Sequence, residues 1–255
     1  MDRPVLTVIA GPNGSGKSTL IAYLRKNDVD FGTYINADDI AKELGLIGDE
    51  GAAHAQQIAD EQRAESLKSG KTFSFETVMS HQSKVEFMQK ARAADFKVQL
   101  FFVATGNPDI NINRVRGRVA AGGHDVPEDR IVKRYWRTLG LLTDAILASD
   151  NAVIFDNSPN GEGNFSPEML RPIASSKTSL YQGEPDSVEL QFISPVTMWT
   201  LDSLKFAGHG FGMTGCSKNQ NGLTAFMSKL RDTYPDATER DAEWHATLVD
   251  ILLNS

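Results

Sequence analysis

Residues 8–20 read "VIAGPNGSGKSTL", and within them Gly11, Pro12, Asn13, Gly14, Ser15, Gly16, Lys17 and Ser18 satisfy the spacing G-x-x-x-x-G-K-[ST]. Glycines at such positions let consecutive backbone N–H groups turn toward phosphate oxygens. A helix that begins where the loop ends adds partial positive charge at the same point. In this pattern the Lys17 ammonium reaches the β- and γ-phosphate oxygens, the Ser18 hydroxyl ligates Mg²⁺, and Thr19 closes the set that would hold ATP. The apolar, β-branched "PVLTVIAG" leads into the loop and "KSTLIAYLRKN" leaves it with helical spacing, the strand–loop–helix setting that the motif requires. The pattern implies triphosphate binding and leaves the fate of the phosphate open.

Three further groups bear on that fate. Asp38 and Asp39 in "INADDI" follow a second strand, and in folds built around such a loop that strand is expected beside the first. A carboxylate there takes the proton of an acceptor hydroxyl; the alternative is a helix cap, with Asp38 capping "DIAKEL". Glu76 ends the otherwise apolar strand "FSFET" and supplies a second acid in the same crevice, with Thr77 beside it. Both are candidates to touch the substrate, a distant Mg²⁺ or water contact being the alternative for Glu76. Arg114, Arg116, Arg118, Arg130, Arg134 and Arg137 fall within 24 residues of an acidic chain. They are expected to form a lid of cations over the phosphates, some of them lying on a solvated helix face. A carboxylate base and neutralising cations are the parts a small-molecule kinase needs. A guanine-binding Asn-Lys-x-Asp motif is absent from the sequence. The third strand also lacks the apolar run followed by Asp that motor and AAA-type ATPases carry.

These residues need a scaffold, and the pattern predicts one. "FGTYINADD" reads as the second strand, residues 49–68 as a long Ala-, Glu- and Gln-rich helix ended by Gly70, and "KTFSFET" as the third strand. "HQSKVEFMQKARAAD" is a helix and "FKVQLFFVAT" a fourth strand; helices over 108–121 and 127–148 follow, then the fifth strand "NAVIFDNS". Start signals for the second of these helices come from Asp125 or the Pro127 region. Strands alternating with helices predict an α/β, three-layer fold with a mostly parallel five-stranded sheet and ligands at the strands' carboxyl ends. Past residue 158 the rhythm stops. "SPNGEGNFSP" and "SSKTSLYQGEPDS" read as loops, "VELQFIS" as a strand, and 222–235 and 239–253 as amphipathic helices. The expected division is a domain over 1–175 and a small α-rich C-terminal extension over 176–255.

Composition sets outer bounds. The chain has 255 residues, 40% of them apolar, enough for one large α/β domain with a core. Its net charge of −7 argues against a nucleic-acid binder. It has no run of about 18 apolar residues to span a membrane. "MDRPVLTVIAG" carries no signal-peptide pattern, and a single Cys216 suits a reducing cytoplasm. "AGHGFGMTGCSKNQNG" is Gly-rich without a leading apolar strand and is not a second phosphate loop. His209, Cys216 and His245 are too irregularly spaced for a metal site, so packing or surface positions are expected.

Taken in order, "AGPNGSGKST", "INADDI", "FSFETVMS", "VQLFFVAT" and "RVAAGGHDVPEDRIVKRY" resemble the zeta-toxin family of P-loop kinases, over roughly residues 4–158. That family is typified by phosphorylation of UDP-N-acetylglucosamine on the sugar 3′-hydroxyl. The resemblance implies the P-loop NTPase fold, ATP and Mg²⁺ handled by Lys17 and Ser18, Asp38 as catalytic base, and Glu76, shared with Thr77, on the sugar. It implies a transition-state arginine at Arg118 and a second lid cation from Arg134, Arg130 or His124. Asp60 lies where a further sugar-binding acid is expected. The "RVAAGGHDVP" form resembles the branch found in Gram-negative bacteria, and any antitoxin partner would be a separate chain. Two other readings stand beside this one: a kinase for another small acceptor, such as an antibiotic or nucleotide-like metabolite, and a non-catalytic ATP-binding regulator.

Overall fold

The computed structural model describes residues 3–26, 29–158, 171–181, 184–192 and 211–214, the last three ranges as strand backbone. In chain order the first half runs β1 (Val5–Ala10), α1 (Lys17–Lys26), β2 (Thr33–Ile35), α2 (Ala37–Glu43), α3 (Gly48–Ser69), β3 (Phe73–Thr77) and α4 (Ser83–Ala93). The second half runs β4 (Lys97–Ala104), α5 (Pro108–Ala120), α6 (Glu128–Gly140), α7 (Leu142–Leu147), β5 (Asn151–Asp156), β6 (Arg171–Tyr181), β7 (Glu184–Phe192) and β8 (Phe211–Thr214).

The strands form one sheet in the order β2-β3-β1-β4-β5-β6-β7-β8. The first five in that order are parallel, as the alternation of strands and helices predicts. One expectation is corrected. β2 does not lie beside β1, because β3 pairs with both and separates them. The end of β3, carrying Glu76 and Thr77, therefore sits next to the loop, and the segment carrying Asp38 is one strand further out.

Alternation of side chains across the strands explains the three layers. Leu6, Val8 and Ala10 of β1 face one side and pack with Phe73 and Phe75, Ala55 and Ala59 of α3, Val85 and Met88 of α4, and Tyr135 and Leu139 of α6. Ile9 faces the other side and packs with Leu20, Ile21 and Leu24 of α1, Phe31, Val103 and Phe155. Parallel strands buried on both faces read as continuous apolar runs, as β1 and β4 do. α3 ends at Gly70, which adopts the left-handed conformation (φ 63°), while the Lys71 N–H reaches the Ser66 carbonyl at 3.3 Å. The helix expected over 127–148 is two, broken at Leu141 (φ −95°, ψ −3°) directly after Gly140.

The described part of the C-terminal region is β. β6 runs antiparallel to β5 and β7, and β8 parallel to β7. β7 covers the start of "VELQFIS", whereas "SSKTSLY" lies in β6 where the sequence reads as loop, and "FGMT" of the Gly-rich segment forms β8. Pro172 is tolerated in β6 because it falls where the β5–β6 register shifts, between Ile154 and Phe155. β6 runs across residue 175, so a cut there would divide it. The helices read at 222–235 and 239–253, and the residues His209, Cys216 and His245, lie outside the described residues. Among the described residues no helix is long and apolar enough to cross a membrane.

β3 is where core and site meet. The fully buried Phe73 packs edge-on against Phe96 and Phe87, with ring centroids 5.7 and 6.2 Å away. Phe73→Ala should lower stability by about 3–5 kcal/mol, through lost burial and the cavity left behind. Urea unfolding of the two proteins measures this directly.

Candidate active site

The loop from Gly11 to Gly16 joins β1 to α1 at the centre of the sheet. Gly11 takes φ 150° with its N–H on the Thr77 carbonyl at 3.3 Å, and a Cβ there would overlap the Val103 carbonyl oxygen. Gly14 takes φ 74°, and a Cβ would stand 2.7 Å from the Asn111 carbonyl oxygen. Glycine is required at both by backbone packed against backbone. The Ser15 N–H closes a turn onto the Pro12 carbonyl at 3.2 Å, and Gly16 accepts the first helical bond of Leu20 at 3.0 Å. Ser18 is exposed in the first turn of α1, free to meet a cation; Thr19 beside it is half-buried.

Lys17 turns back under this loop. Its Nζ donates to the carbonyls of Gly11 at 2.9 Å and Pro12 at 3.1 Å, and lies 3.6 Å from Glu76 Oε1. Burial pulls its pKa below the usual lysine range, opposed by the negative charges of Glu76 and Asp38 and assisted by the positive charge of Arg118. Those three residues are therefore within electrostatic reach of the ammonium. Glu76 is held from the other side by the Tyr34 hydroxyl, which donates at 3.2 Å, and by Asn36 Nδ2 at 3.4 Å. Burial, then the Glu76 charge, drives the Tyr34 phenol well above its ordinary range. Thr77 is half-buried and its Oγ1 accepts the Met79 N–H at 3.0 Å, so part of its capacity goes to the turn after β3.

Asp38 and Asp39 are exposed in the first turn of α2. The capping alternative for Asp38 is excluded. The cap is Asn36, whose side chain accepts the Asp38 N–H at 2.8 Å, which leaves both carboxylates free for other work. Their charge near the helix N-terminus is favourable.

The arginine cluster divides. Arg134, on α6, reaches Asn13 Oδ1 at 3.5 Å. Arg114, on α5, donates to the Gly14 carbonyl at 3.5 Å and the Asn157 carbonyl at 2.8 Å. Burial lowers the pKa of both guanidinium groups, and Arg130's like charge adds to this at Arg134. Arg118 is exposed near the end of α5 and donates to the His124 carbonyl at 2.9 Å. Arg116 pairs with Glu128 at 2.6 Å, and Arg130 lies 3.9 Å from Asp49. Of the three candidates for second lid cation, Arg134 contacts the loop. Asp60 sits with Arg63 and Lys84 on the face that carries Phe75. Burial works against its charge, but hydrogen bonds from those two residues outweigh it and hold the carboxyl below its usual range.

Two loop-bracing residues escape sequence reading. Asn111 is fully buried; its Nδ2 donates to the Asn13 carbonyl at 2.6 Å, and its Oδ1 accepts the Thr105 hydroxyl. Asn157, also fully buried, donates from Nδ2 to the Ser15 carbonyl at 2.7 Å. An isolated Asn in a helix or past a strand carries no spacing signal; the one cue was its place just beyond apolar strands that end at the loop.

No family model matches the chain. An uncharacterized protein of Haemophilus influenzae is 29% identical over 133 residues, which is 49% of this chain and 88% of that one. Among solved structures, the native AvrRxo1-ORF1:-ORF2 complex aligns with a TM-score of 0.54 at 15% identity, over 98% of this chain and 76% of that one. AvrRxo1-ORF1:-ORF2 with ATP aligns at 0.53 and 17% identity over 68% of this chain, which spans 58% of that one. A structure of the PezAT chromosomal toxin-antitoxin system of Streptococcus pneumoniae gives 0.46 and 16% identity over 67% and 78%. With the loop, the sheet order and the three layers, the first two alignments establish the class: the chain has the α/β P-loop NTPase fold.

Two outcomes are expected from the loop's supports. Asn111→Ala leaves the Asn13 carbonyl and the Thr105 hydroxyl without that partner and should cost about 1–3 kcal/mol of stability, read by urea unfolding. Because the folded protein depresses the Lys17 pKa, the unfolded chain binds more protons between that value and 10.5. Stability relative to Lys17→Met should therefore rise with pH toward that upper limit, measured on ligand-free protein by denaturation at a series of pH values.

Proposed function

We propose that the protein is an ATP-dependent kinase that phosphorylates a hydroxyl of a nucleotide-sugar, UDP-N-acetylglucosamine or a related UDP-sugar. The observation that carries this reading is the buried Lys17 held under the glycine loop 3.6 Å from Glu76, with exposed Asp38 in the first turn of the helix that follows the neighbouring strand. A protein that only held a nucleotide would need no pair of carboxylates on the acceptor side of its phosphate loop. The glycine cradle, the buried ammonium and the exposed Ser18 hydroxyl fit a triphosphate with Mg²⁺. The ATP complex solved for AvrRxo1-ORF1:-ORF2 supports the same ligand here.

In this reading ATP supplies the phosphoryl group. Lys17 and backbone N–H groups of the loop between Asn13 and Thr19 bind the phosphate chain, and Ser18 holds Mg²⁺. Asp38 accepts the proton of the acceptor hydroxyl, and Glu76 with Thr77 orients the acceptor. Arg118 and Arg134 neutralise charge that shifts during transfer. The chemistry is assigned to the unit 1–175, and 176–255 to an extension. AvrRxo1-ORF1 is solved with the product of a second reading frame. Together with the zeta-toxin resemblance, this leads us to propose a toxin of a toxin–antitoxin pair, held in check by a separate antitoxin chain.

Incubation with ATP, Mg²⁺ and a panel of UDP-sugars, nucleosides and aminoglycosides, followed by mass spectrometry, should yield a phosphorylated UDP-sugar. Phosphate appearing only on another compound would replace the acceptor and keep the kinase. Asp38→Asn keeps shape but cannot take the proton, so transfer should fall by about 10²–10⁴-fold with ATP binding nearly unchanged. Full activity of Asp38→Asn would remove the base assignment.

A further inference from the structure

One side-chain amide bonds both the backbone N–H of Asp38 and the carboxylate of Glu76. Asn36 Oδ1 accepts the Asp38 N–H at 2.8 Å and so starts α2. Its Nδ2 donates to the Tyr34 hydroxyl oxygen at 2.9 Å and to Glu76 Oε2 at 3.4 Å. The Tyr34 hydroxyl donates to the same Glu76 oxygen at 3.2 Å, closing a triangle of amide, phenol and carboxylate. Arg25 lies over the Tyr34 ring, 4.6 Å from its centroid. Glu76 thus divides its two oxygens: Oε1 faces Lys17, and Oε2 faces Tyr34 and Asn36.

The backbone gives this corner little support. β2 is three residues long and lies at the edge of the sheet, paired with β3 from Thr33 to Ile35. Asn36 is the next residue, and α2 begins immediately after it. The relation between the first turn of α2 and the end of β3 therefore falls to side chains.

We propose that Asn36, with Tyr34 as its relay, is a positioning residue that ties the helix bearing Asp38 to Glu76, so that one amide sets the geometry of both carboxylates. This rests on the kinase reading above. A cap needs an acceptor, and Ser, Asp and Asn serve about equally in that role. The link to Tyr34 and Glu76 needs the amide's donor, which Ser is too short to provide and Asp lacks. Capping and linking are therefore separable by substitution. Asn36→Asp also sets a third negative charge beside Glu76 and Asp38, which makes each carboxylate harder to ionise.

The test compares full-length wild type with Asn36→Ser, Asn36→Asp, Tyr34→Phe and Asp38→Asn. Thermal unfolding and titration with Mg·ATP come first. Rates of phosphate transfer to UDP-N-acetylglucosamine, and to water without acceptor, are then measured across pH. Asn36→Ser and Tyr34→Phe should keep the fold and the ATP affinity while kcat falls about 10–100-fold, the scale of a displacement of about 1 Å at a reacting centre. Asn36→Asp should in addition move the acidic limb of the kcat profile to higher pH, which loss of a cap alone would not do. Should Asn36→Asp fail to fold, the two uncharged variants decide. Wild-type kcat and an unmoved acidic limb in the Asn36 variants, with Asp38→Asn inactive, overturn the positioning role and leave the kinase standing. Full activity of Asp38→Asn, or no transfer by wild type to water or to any acceptor of the panel above, overturns the base assignment and the positioning role together.

Discussion

A buried ammonium at the carboxyl end of the central strand constrains everything around it. Lys17 is only 6% exposed, and a charge taken out of water needs charged or hydrogen-bonding partners nearby. The protein supplies the carbonyls of Gly11 and Pro12 and the carboxylate of Glu76. Those carbonyls face the ammonium because the loop is tightly turned. The turn in turn requires glycines where backbone meets backbone, at Val103 and Asn111. Asn111, Asn157, Arg114 and Arg134 then hold the outer atoms of the loop from α5, the end of β5, and α6. The loop is thus clamped by elements distant in sequence, so its geometry depends on the whole parallel sheet being assembled.

The strand order sets the two acids in different surroundings. With β3 between β1 and β2, Glu76 meets Lys17 directly, while Asp38 interacts with it from the first turn of α2. A carboxylate paired with a buried cation and with a phenol on its other oxygen is restrained in position, which suits it to orient a ligand. A solvent-exposed carboxylate on a helix N-terminus has room to meet an incoming hydroxyl. The two environments differ as the proposed binding acid and base should differ, although Glu76 lies near the end of β3 and Asp38 just past the end of the neighbouring β2.

What the sequence made legible was local. The loop, Gly70 and the apolar strands each follow from spacing or residue type within a few positions. The place of β3 was not legible, because strand order depends on which crossovers pack and not on any short motif. The Asn36 cap was hidden behind two aspartates equally able to cap. Asn111 and Asn157 act across 98 and 142 residues of chain, a pairing that no periodicity records. The second half of β6 reads as loop because its Ser- and Thr-rich stretch lacks apolar alternation, and its pairing with β5 and β7 comes from backbone hydrogen bonds.

The arginines show why a cluster in sequence is not one patch in space. α6 is fixed to the ends of two strands: the Tyr135 hydroxyl donates to the Thr105 carbonyl at 2.6 Å, and the Thr138 hydroxyl to the Val78 carbonyl at 2.8 Å. That anchoring holds Arg134 at the loop. Arg114, on the preceding helix, is likewise committed to loop and strand-end carbonyls, so both are parts of a preformed wall. Arg118 differs in its surroundings. Its described hydrogen bond is an exposed one to the His124 carbonyl in the α5–α6 connection, and such bonds contribute about 0.5–1.5 kcal/mol net. A negative charge arriving near Lys17 would attract this guanidinium at little conformational expense. The same segment therefore supplies fixed cations that shape the ligand-free loop and one exposed cation which, in the kinase proposed above, could move toward the charge that develops in transfer.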